Sequence, residues 1–210
     1  MTHHHLEIDS LRIALDGTVL LELDAHIGPG EILTVMGPSG SGKSTLLAWL
    51  AGFLAGDFEA SGHAHLDGRD ITHLPAERRG IGLLFQDPLL FPHLSVAGNL
   101  RFGMPRATRD KPRQVETALK QIGLAGFGDR DPATLSGGQK ARVALMRLLL
   151  SRPCAVLLDE PFSKLDTHLR QEMRQLVFTQ LRQAGLPSLL VTHDRDDAAA
   201  AGGEVIELTH

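Results

Sequence analysis

Tyrosine is absent from this 210-residue chain, tryptophan and cysteine occur once each, and aromatic residues make up only 4% of it. A single cysteine, Cys154, excludes an internal disulfide and any cysteine-rich zinc site, and it suits a reducing compartment. No apolar run approaches the roughly 18 residues that a membrane span requires. The N-terminus lacks the basic-then-apolar pattern of a signal peptide. An excess of positive charge is missing too. Net charge is −4 and the pI is about 6.2, so no global basic field recruits nucleic acid or an anionic membrane surface. Any role at a membrane therefore needs a partner. Repeats and low-complexity segments are lacking. What is present is a chain with 42% hydrophobic residues, enough to bury a core as one large domain or one domain with a small insert. For His3-His4-His5, a metal-binding reading stands beside the blander one of an incidental or tag-derived run.

The chain is organised around Gly37-Pro38-Ser39-Gly40-Ser41-Gly42-Lys43-Ser44-Thr45, which fits the phosphate-cradling pattern G-x-x-x-x-G-K-[ST] without a gap. The apolar run at 32–36 reads as a buried parallel strand, and 46–51 reads as a helix that Gly52 stops. Glycines let the backbone approach closely, so that successive N–H groups converge on an anion. The helix start adds about half a positive charge. In such a loop Lys43 reaches the β and γ phosphates of a nucleotide, and the Ser44 hydroxyl holds Mg²⁺. The loop alone does not say which phosphate chemistry follows.

Before the loop, residues 6–15 and 18–27 alternate loosely around Asp16-Gly17 and predict a hairpin. After it, 63–66 reads as an edge strand, 75–79 as a polar turn, and 81–85 as a buried strand ending at Gln86. Prolines then punctuate short helical patterns at 95–101 and 113–122, an inserted helical segment over about 87–135. Ser136 precedes a helix over 137–150, and 155–158 is a central strand apolar on both faces. Leu165, Leu169, Met173 and Leu176 are spaced as the apolar face of a further helix. A strand at 188–192, an alanine-rich helix and a last strand at 204–208 complete the chain. The fold class is α/β: a mostly parallel sheet core, an antiparallel β subdomain from about 4–30 and 60–70, and the α-helical insert.

Ligands of such sheets sit beyond the carboxyl ends of the strands. Four predicted strands end there on groups able to do phosphate chemistry: the loop after Met36, Gln86, Asp159-Glu160 and His193. Asp159 can hold Mg²⁺ directly or through water; the rival readings are a helix cap or an ion pair. Glu160 precedes Pro161, which predicts an extended residue pointing away from Asp159. It is the candidate general base for a water attacking the γ phosphate, against the rival of a surface glutamate. His193 can donate to that phosphate or water, and the Gln86 amide can touch Mg²⁺ or the water. Ser136-Gly137-Gly138-Gln139 is either a second anion-binding nest or simply a capped helix start.

Taken in order, these motifs resemble the nucleotide-binding subunit of ABC transporters, over essentially the whole chain. Residues 37–45 are similar to its Walker A loop of the P-loop NTPases, Gln86 to its Q-loop, and Leu135-Ser136-Gly137-Gly138-Gln139 to its LSGGQ signature. Val156-Leu157-Leu158-Asp159 with Glu160 resembles Walker B and the catalytic glutamate, Asp166 the D-loop, and His193 the switch histidine. The resemblance is nearest to short bacterial importer ATPases serving thiamine, iron, sulfate or polyamines. It implies ATP and Mg²⁺ as ligands and a head-to-tail homodimer in the ATP-bound state. There Ser136, Gly138 and Gln139 meet the partner's γ phosphate, and Asp166 couples the two sites. It also implies that the helical segment, hinged at Gln86, docks on transmembrane permease subunits served by a solute-binding protein. The place of work is then peripheral, on the cytoplasmic face of the cell membrane, with no nucleic acid involved. Two features depart from the family. Its adenine-stacking aromatic has no counterpart at 13–17, where Leu15 offers only aliphatic packing. The sequence ends at His210, soon after His193, so no C-terminal regulatory domain is expected. The rival functions are a non-transport ABC ATPase acting on DNA or ribosomes, and a P-loop kinase for a small metabolite. The first would call for two such domains, a coiled-coil insertion or zinc-binding cysteines; the second leaves the signature unexplained.

Overall fold

A computed structural model describes residues 4–208 and divides into two compact units. The first holds the residues up to Leu83, Cys154–Glu160 and those from Arg174 onward; the second holds Leu84–Pro153 and Pro161–Met173.

In the first unit, β1 (Leu6–Leu15) and β2 (Thr18–Ile27) form the expected hairpin. Asp16 and Gly17 both take positive φ, 50° and 76°, as a tight two-residue turn requires. The loose alternation of β1 has a cause. Leu6 and Ile8 are buried, then Leu11 and Ile13, so the buried set changes parity midway. Ser10 is the extra residue, at φ 50° in the register shift between Ile8 and Leu11. A one-residue bulge flips the side chains and keeps both halves of the strand facing the core.

Strand β4 (Phe58–Leu66) lies beside β1, and β5 (Arg69–Asp70) completes the sheet in the order β2-β1-β4-β5. The segment at 63–66 is thus not an edge strand but the end of a nine-residue inner one. Gly62 hides this in the sequence by looking like a break. Its φ is 105°, and a Cβ there would stand 2.6 Å from the Ser10 carbonyl oxygen, so glycine is what fits opposite the bulge.

The second sheet runs β6-β7-β8-β3-β9, built from β6 (Ile81–Leu84), β7 (Ala155–Asp159), β8 (Ser188–Thr192), β3 (Ile32–Met36) and β9 (Val205–Glu207). Pairs β3–β8, β3–β9 and β7–β8 are parallel. Strand β6 is at the edge and only half buried, which corrects its reading as a buried strand. Helix α1 (Lys43–Ala51) follows β3, and α5 (Thr167–Ala184) and α6 (Arg195–Ala201) flank β8 in sequence. A continuous core joins Ile8, Leu11 and Ile13 to Val35, Leu46, Leu50, Leu157 and Val191. On α5 the buried stripe is Met173, Val177, Phe178 and Leu181. It is displaced from the predicted stripe because Leu165 precedes the helix, which starts at Thr167.

The stretch at 75–79 is more than a polar turn. Arg79 is buried, and its guanidinium donates to the carbonyls of Leu74 (2.8 Å), Trp49 (2.7 Å), Leu50 (2.9 Å) and Thr72 (2.6 Å). Two of these belong to the last turn of α1, where the Trp49 carbonyl otherwise has only a shared bond from the Gly52 N–H (3.2 Å). Arg79→Ala strands several buried carbonyls at once, so we expect a loss of about 3 kcal/mol. Urea unfolding followed by the lone tryptophan, Trp49, measures it; a loss below about 1 kcal/mol would mean that water replaces the guanidinium.

In the second unit, α2 (Val96–Gly103), α3 (Lys111–Gln121) and α4 (Gly137–Leu150) are capped by Ser95, Asp110 and Ser136. The unit is wider than 87–135 because it includes α4, which packs against α2. Asn99, fully buried on α2, accepts from Phe91 N–H and donates to the carbonyls of Phe91, Leu94 and Ser95.

Candidate functional site

Parallel pairing brings three strand ends level. Met36 pairs with Thr192, and Asp159 with Val191, so Gly37, Glu160 and His193 emerge along one edge of the sheet. A cavity of about 580 Å³ opens there, lined by Pro38, Ser39, Gly40, Gly42, Lys43, Ser44 and Thr45 from the loop and by Glu160 and His193. Every one of these residues belongs to the first unit.

The loop side of the cavity is rich in donors. Helices α2, α3, α4 and α6 each have a side-chain cap, whereas α1 begins at Gly42 with none. Its first backbone bond is Leu46 N–H to the Gly42 carbonyl, 2.9 Å, so the N–H groups of its first turn are free for an anion. Lys43 is buried and its Nζ donates to the carbonyls of Gly37 (2.8 Å) and Pro38 (2.6 Å). Ser41 is buried behind it.

The opposite side carries a carboxylate and an imidazole. His193 Nδ1 lies 3.0 Å from Glu160 Oε1. A carboxylate only accepts, so this ring nitrogen bears the proton and Nε2 of the neutral ring is an acceptor. For His193 to donate toward a phosphate, the ring must be doubly protonated or must leave Glu160. Glu160 itself departs from expectation: its φ is 42°, in the left-handed region, rather than extended. Its N–H donates to the Val191 carbonyl (3.0 Å), which keeps the residue in the sheet ladder, while the chain turns sharply into Pro161 and the fully buried Phe162. Those two anchors override the extended preference of a residue before proline, and such strain costs on the order of 1–3 kcal/mol.

Asp159 ends β7 just behind the cavity lining. Burial pushes its carboxyl above the ordinary aspartate range, Glu160 pushes it further, and Lys43 opposes both. An acid raised in the folded state favours folding in its protonated form. That contribution is fully present below the ordinary value of 3.8 and disappears as pH rises through the elevated one, leaving an ionised carboxylate that costs stability at neutral pH. Asp159→Asn is therefore expected to melt at a higher temperature than the wild type at pH 7.5, with the difference vanishing under acid conditions. A lower melting temperature at pH 7.5 would overturn this reading. A carboxylate and the Ser44 hydroxyl near one donor-rich loop suit a hard, oxygen-seeking cation, and a cation would offset the burial cost of Asp159.

Beneath His193 lies a network that sequence reading missed. Arg174 bonds to Asp194 (3.0 Å) and to Asp197, which is buried. Thr192 Oγ1 donates to Asp197 (3.0 Å) and accepts from Asp194 N–H (3.0 Å). The turn carrying His193 is thus held from both sides. The signal was the acid run Asp194, Asp196, Asp197, which looks like ordinary helix-start charge until Arg174 is placed beside it.

Gln86, Ser136, Gly137, Gly138, Gln139 and Asp166 fall in the second unit. Gln86 is exposed beyond β6. Ser136 and Gln139 form a capping box: the serine Oγ accepts from Gln139 N–H (3.3 Å), and the Gln139 side chain accepts from Ser136 N–H (3.0 Å). That leaves the serine proton and the glutamine amide protons for another acceptor. A Cβ on Gly138 would come 2.5 Å from Leu169, whereas one on Gly137 would meet nothing within 4 Å. Asp166 caps α5 through Leu169 N–H (3.0 Å). Leu15, the adenine-packing candidate, is paired across β1–β4 with Phe58, an aromatic that the hairpin sequence alone does not reveal.

Residues 20–163 match the family described as ABC transporter. This chain belongs to that family. The ABC ATPase is 47% identical over 193 residues to the uncharacterized ABC transporter ATP-binding protein YnjD of Escherichia coli K12, covering 91% of this chain and 88% of the relative. It is 45% identical to the Fe(3+) ions import ATP-binding protein FbpC of Yersinia pestis, with 89% of this chain covered but only 54% of the relative. The spermidine/putrescine import ATP-binding protein PotA of Oleidesulfovibrio alaskensis is 44% identical over 91% of this chain and 52% of its own length. The chain therefore spans about half of these two import proteins. The solved structure of cbiO1 from Clostridium perfringens, part of the ABC transporter complex cbiONQ, superposes with a TM-score of 0.84 at 30% identity, covering 97% of this chain and 84% of that one. The ABC ATPase thus has the α/β architecture of its family, and ATP binding and hydrolysis belong to it. Among the described residues no helix is long and apolar enough to cross a membrane.

Proposed function

We propose that this ABC ATPase energises the import of a small solute through a pair of transmembrane permease subunits. Its place is on the cytoplasmic face of the membrane, with a solute-binding protein feeding the complex. What carries the reading is the cavity in which an uncapped helix start and the buried Lys43 face the Glu160–His193 pair. The similarity to the import proteins FbpC and PotA supports the direction.

In this reading residues 37–45 wrap the phosphates, and Lys43 exchanges the Gly37 and Pro38 carbonyls for the β and γ phosphate oxygens. Ser44 and Asp159, with Gln86, would hold Mg²⁺, which would supply positive charge against the phosphates. Glu160 polarises the attacking water, and His193 moves between Glu160 and the γ phosphate. Ser136, Gly137, Gly138 and Gln139 of a second copy close over the nucleotide with the hydroxyl and amide protons that their capping box leaves unused, while Asp166 links the two sites. The segment at 87–135 is the docking lobe, with Gln86 its hinge. Closure is a population shift that ATP drives by binding the closed pair more tightly.

Ser136→Arg tests this arrangement. The variant is expected to bind one ATP per chain with wild-type affinity while failing to form the ATP-dependent dimer and failing to release phosphate. If light scattering still records that dimer, the signature does not act across two copies. Transfer of the phosphate to an acceptor other than water would instead favour a kinase.

A further inference from the structure

Of the histidine run, His3 lies outside the described residues, and His4 and His5 turn to different contacts. His4 Nδ1 meets Asp67 Oδ2 at 2.6 Å, whereas His5 offers Asp67 its backbone N–H (2.9 Å) and stacks its ring on His26. Cys154 joins the first of these contacts. One ligand atom each from His4, Asp67 and Cys154 lies within 4.8 Å of the others.

We infer that His4, Asp67 and Cys154 form a binding site for a borderline divalent transition ion of the Zn²⁺ class, separate from the nucleotide cavity. An imidazole nitrogen, a carboxylate oxygen and a thiolate sulfur are the three donor types that Zn²⁺ takes together, whereas Mg²⁺ and Ca²⁺ reject sulfur. Bonds of about 2.0–2.3 Å in a tetrahedral site place ligand atoms roughly 3.3–3.8 Å apart. The His4–Asp67 contact of 2.6 Å therefore opens by roughly 0.7 Å. Three protein ligands leave a fourth position for water.

Asp67 is fixed before any ion arrives. It accepts the His5 N–H on Oδ1 and donates its own N–H to the His5 carbonyl (3.0 Å), which leaves Oδ2 to face His4. Cys154 is held by its N–H to the Gly80 carbonyl at 2.7 Å, and its thiol is only partly buried, so an ion can reach it. On binding, the S–H bond breaks, the sulfur–metal bond forms and the proton goes to solvent. Neutral His4 exchanges its Nδ1 proton through solvent for one on Nε2, so that Nδ1 can ligate. The ligands come from the segment two residues before β1, the β4–β5 turn and the entry to β7. One ion would therefore clip the antiparallel sheet to β7, all within the first unit.

The lone cysteine makes the test specific. Titration of the full-length protein with Co²⁺ should give a thiolate-to-cobalt charge-transfer absorption that saturates at one equivalent. Zn²⁺ should abolish that absorption and slow modification of Cys154 by a thiol reagent by at least about tenfold. Cys154→Ser should lose the absorption, and His4→Ala and Asp67→Asn should each weaken Co²⁺ binding at least about tenfold, with far-ultraviolet circular dichroism confirming the fold. A second group, Glu7, Asp9 and His65, also gathers ligand atoms but contains no sulfur, so cobalt bound there gives no such absorption. Cobalt binding without the charge-transfer signal, unchanged thiol reactivity in Zn²⁺, or an unaltered titration in His4→Ala would each overturn the site.

Discussion

Glu160→Gln is expected to bind MgATP with wild-type affinity and to release phosphate about 10²–10⁴-fold more slowly, the range that a positioned general base supplies. The substitution is nearly isosteric. A glutamine Oε1 can still accept from His193 Nδ1, at 3.0 Å in the wild type, so the contact that orders both side chains survives. The left-handed turn at φ 42° is set by the Val191 ladder bond and by buried Phe162, not by the carboxylate, so it survives as well. What disappears is the ability to take a proton from water. With nucleotide bound and not consumed, the variant should accumulate as the ATP-dependent dimer. Phosphate release read beside a size measurement separates the outcomes. Near-wild-type turnover would remove Glu160 as the base. Slow turnover together with weakened ATP binding would show that the carboxylate serves ground-state binding instead.

Many of the strands and helices were legible because their signals are local. Residues 6–15, 18–27 and 188–192 carry their own alternation or continuous apolar character, and 137–150 announces its start with Ser136. What could not be read depends on partners far away in sequence. Gly62 looks like a strand break until Ser10 supplies the bulge that it faces. Arg79 looks like surface charge until Trp49 and Leu50 present their carbonyls to it, 30 and 29 residues away. The pre-proline rule for Glu160 was sound as a local preference and lost to two tertiary anchors. The candidate site shows the same division. Its residue types and their common edge follow from where the strands end, whereas the Glu160–His193 contact and the Arg174–Asp197 support beneath it exist only in the folded chain.

Lys43→Ala is expected to weaken ATP binding by at least about 100-fold, since it removes two or more charge-assisted hydrogen bonds of about 1.5–3 kcal/mol each. The loop itself accommodates this cation through its own carbonyls. The ammonium is buried, but it sits on the Gly37 carbonyl at 2.8 Å and the Pro38 carbonyl at 2.6 Å, with Ser41 Oγ at 3.5 Å. The same atom proposed to meet phosphate thus holds the loop in shape, so nucleotide entry would exchange two neutral acceptors for charged ones instead of desolvating a free ion. Removing it should have two separable effects. The carbonyls can turn to water in the open cavity, so the loss of stability should be small. The loss of affinity should be large, because among the described residues no other lysine or arginine lines the cavity. Lys43→Arg keeps the charge but replaces a compact ammonium by a planar fork that the narrow loop cannot seat, and it should recover little affinity. Calorimetric titration with ATP, beside a thermal melt of each variant, distinguishes the effects. Unchanged affinity in Lys43→Ala with an intact fold would sink the assignment of residues 37–45 as the phosphate cradle. A melting temperature that falls in step with affinity would assign Lys43 to holding the loop rather than the nucleotide.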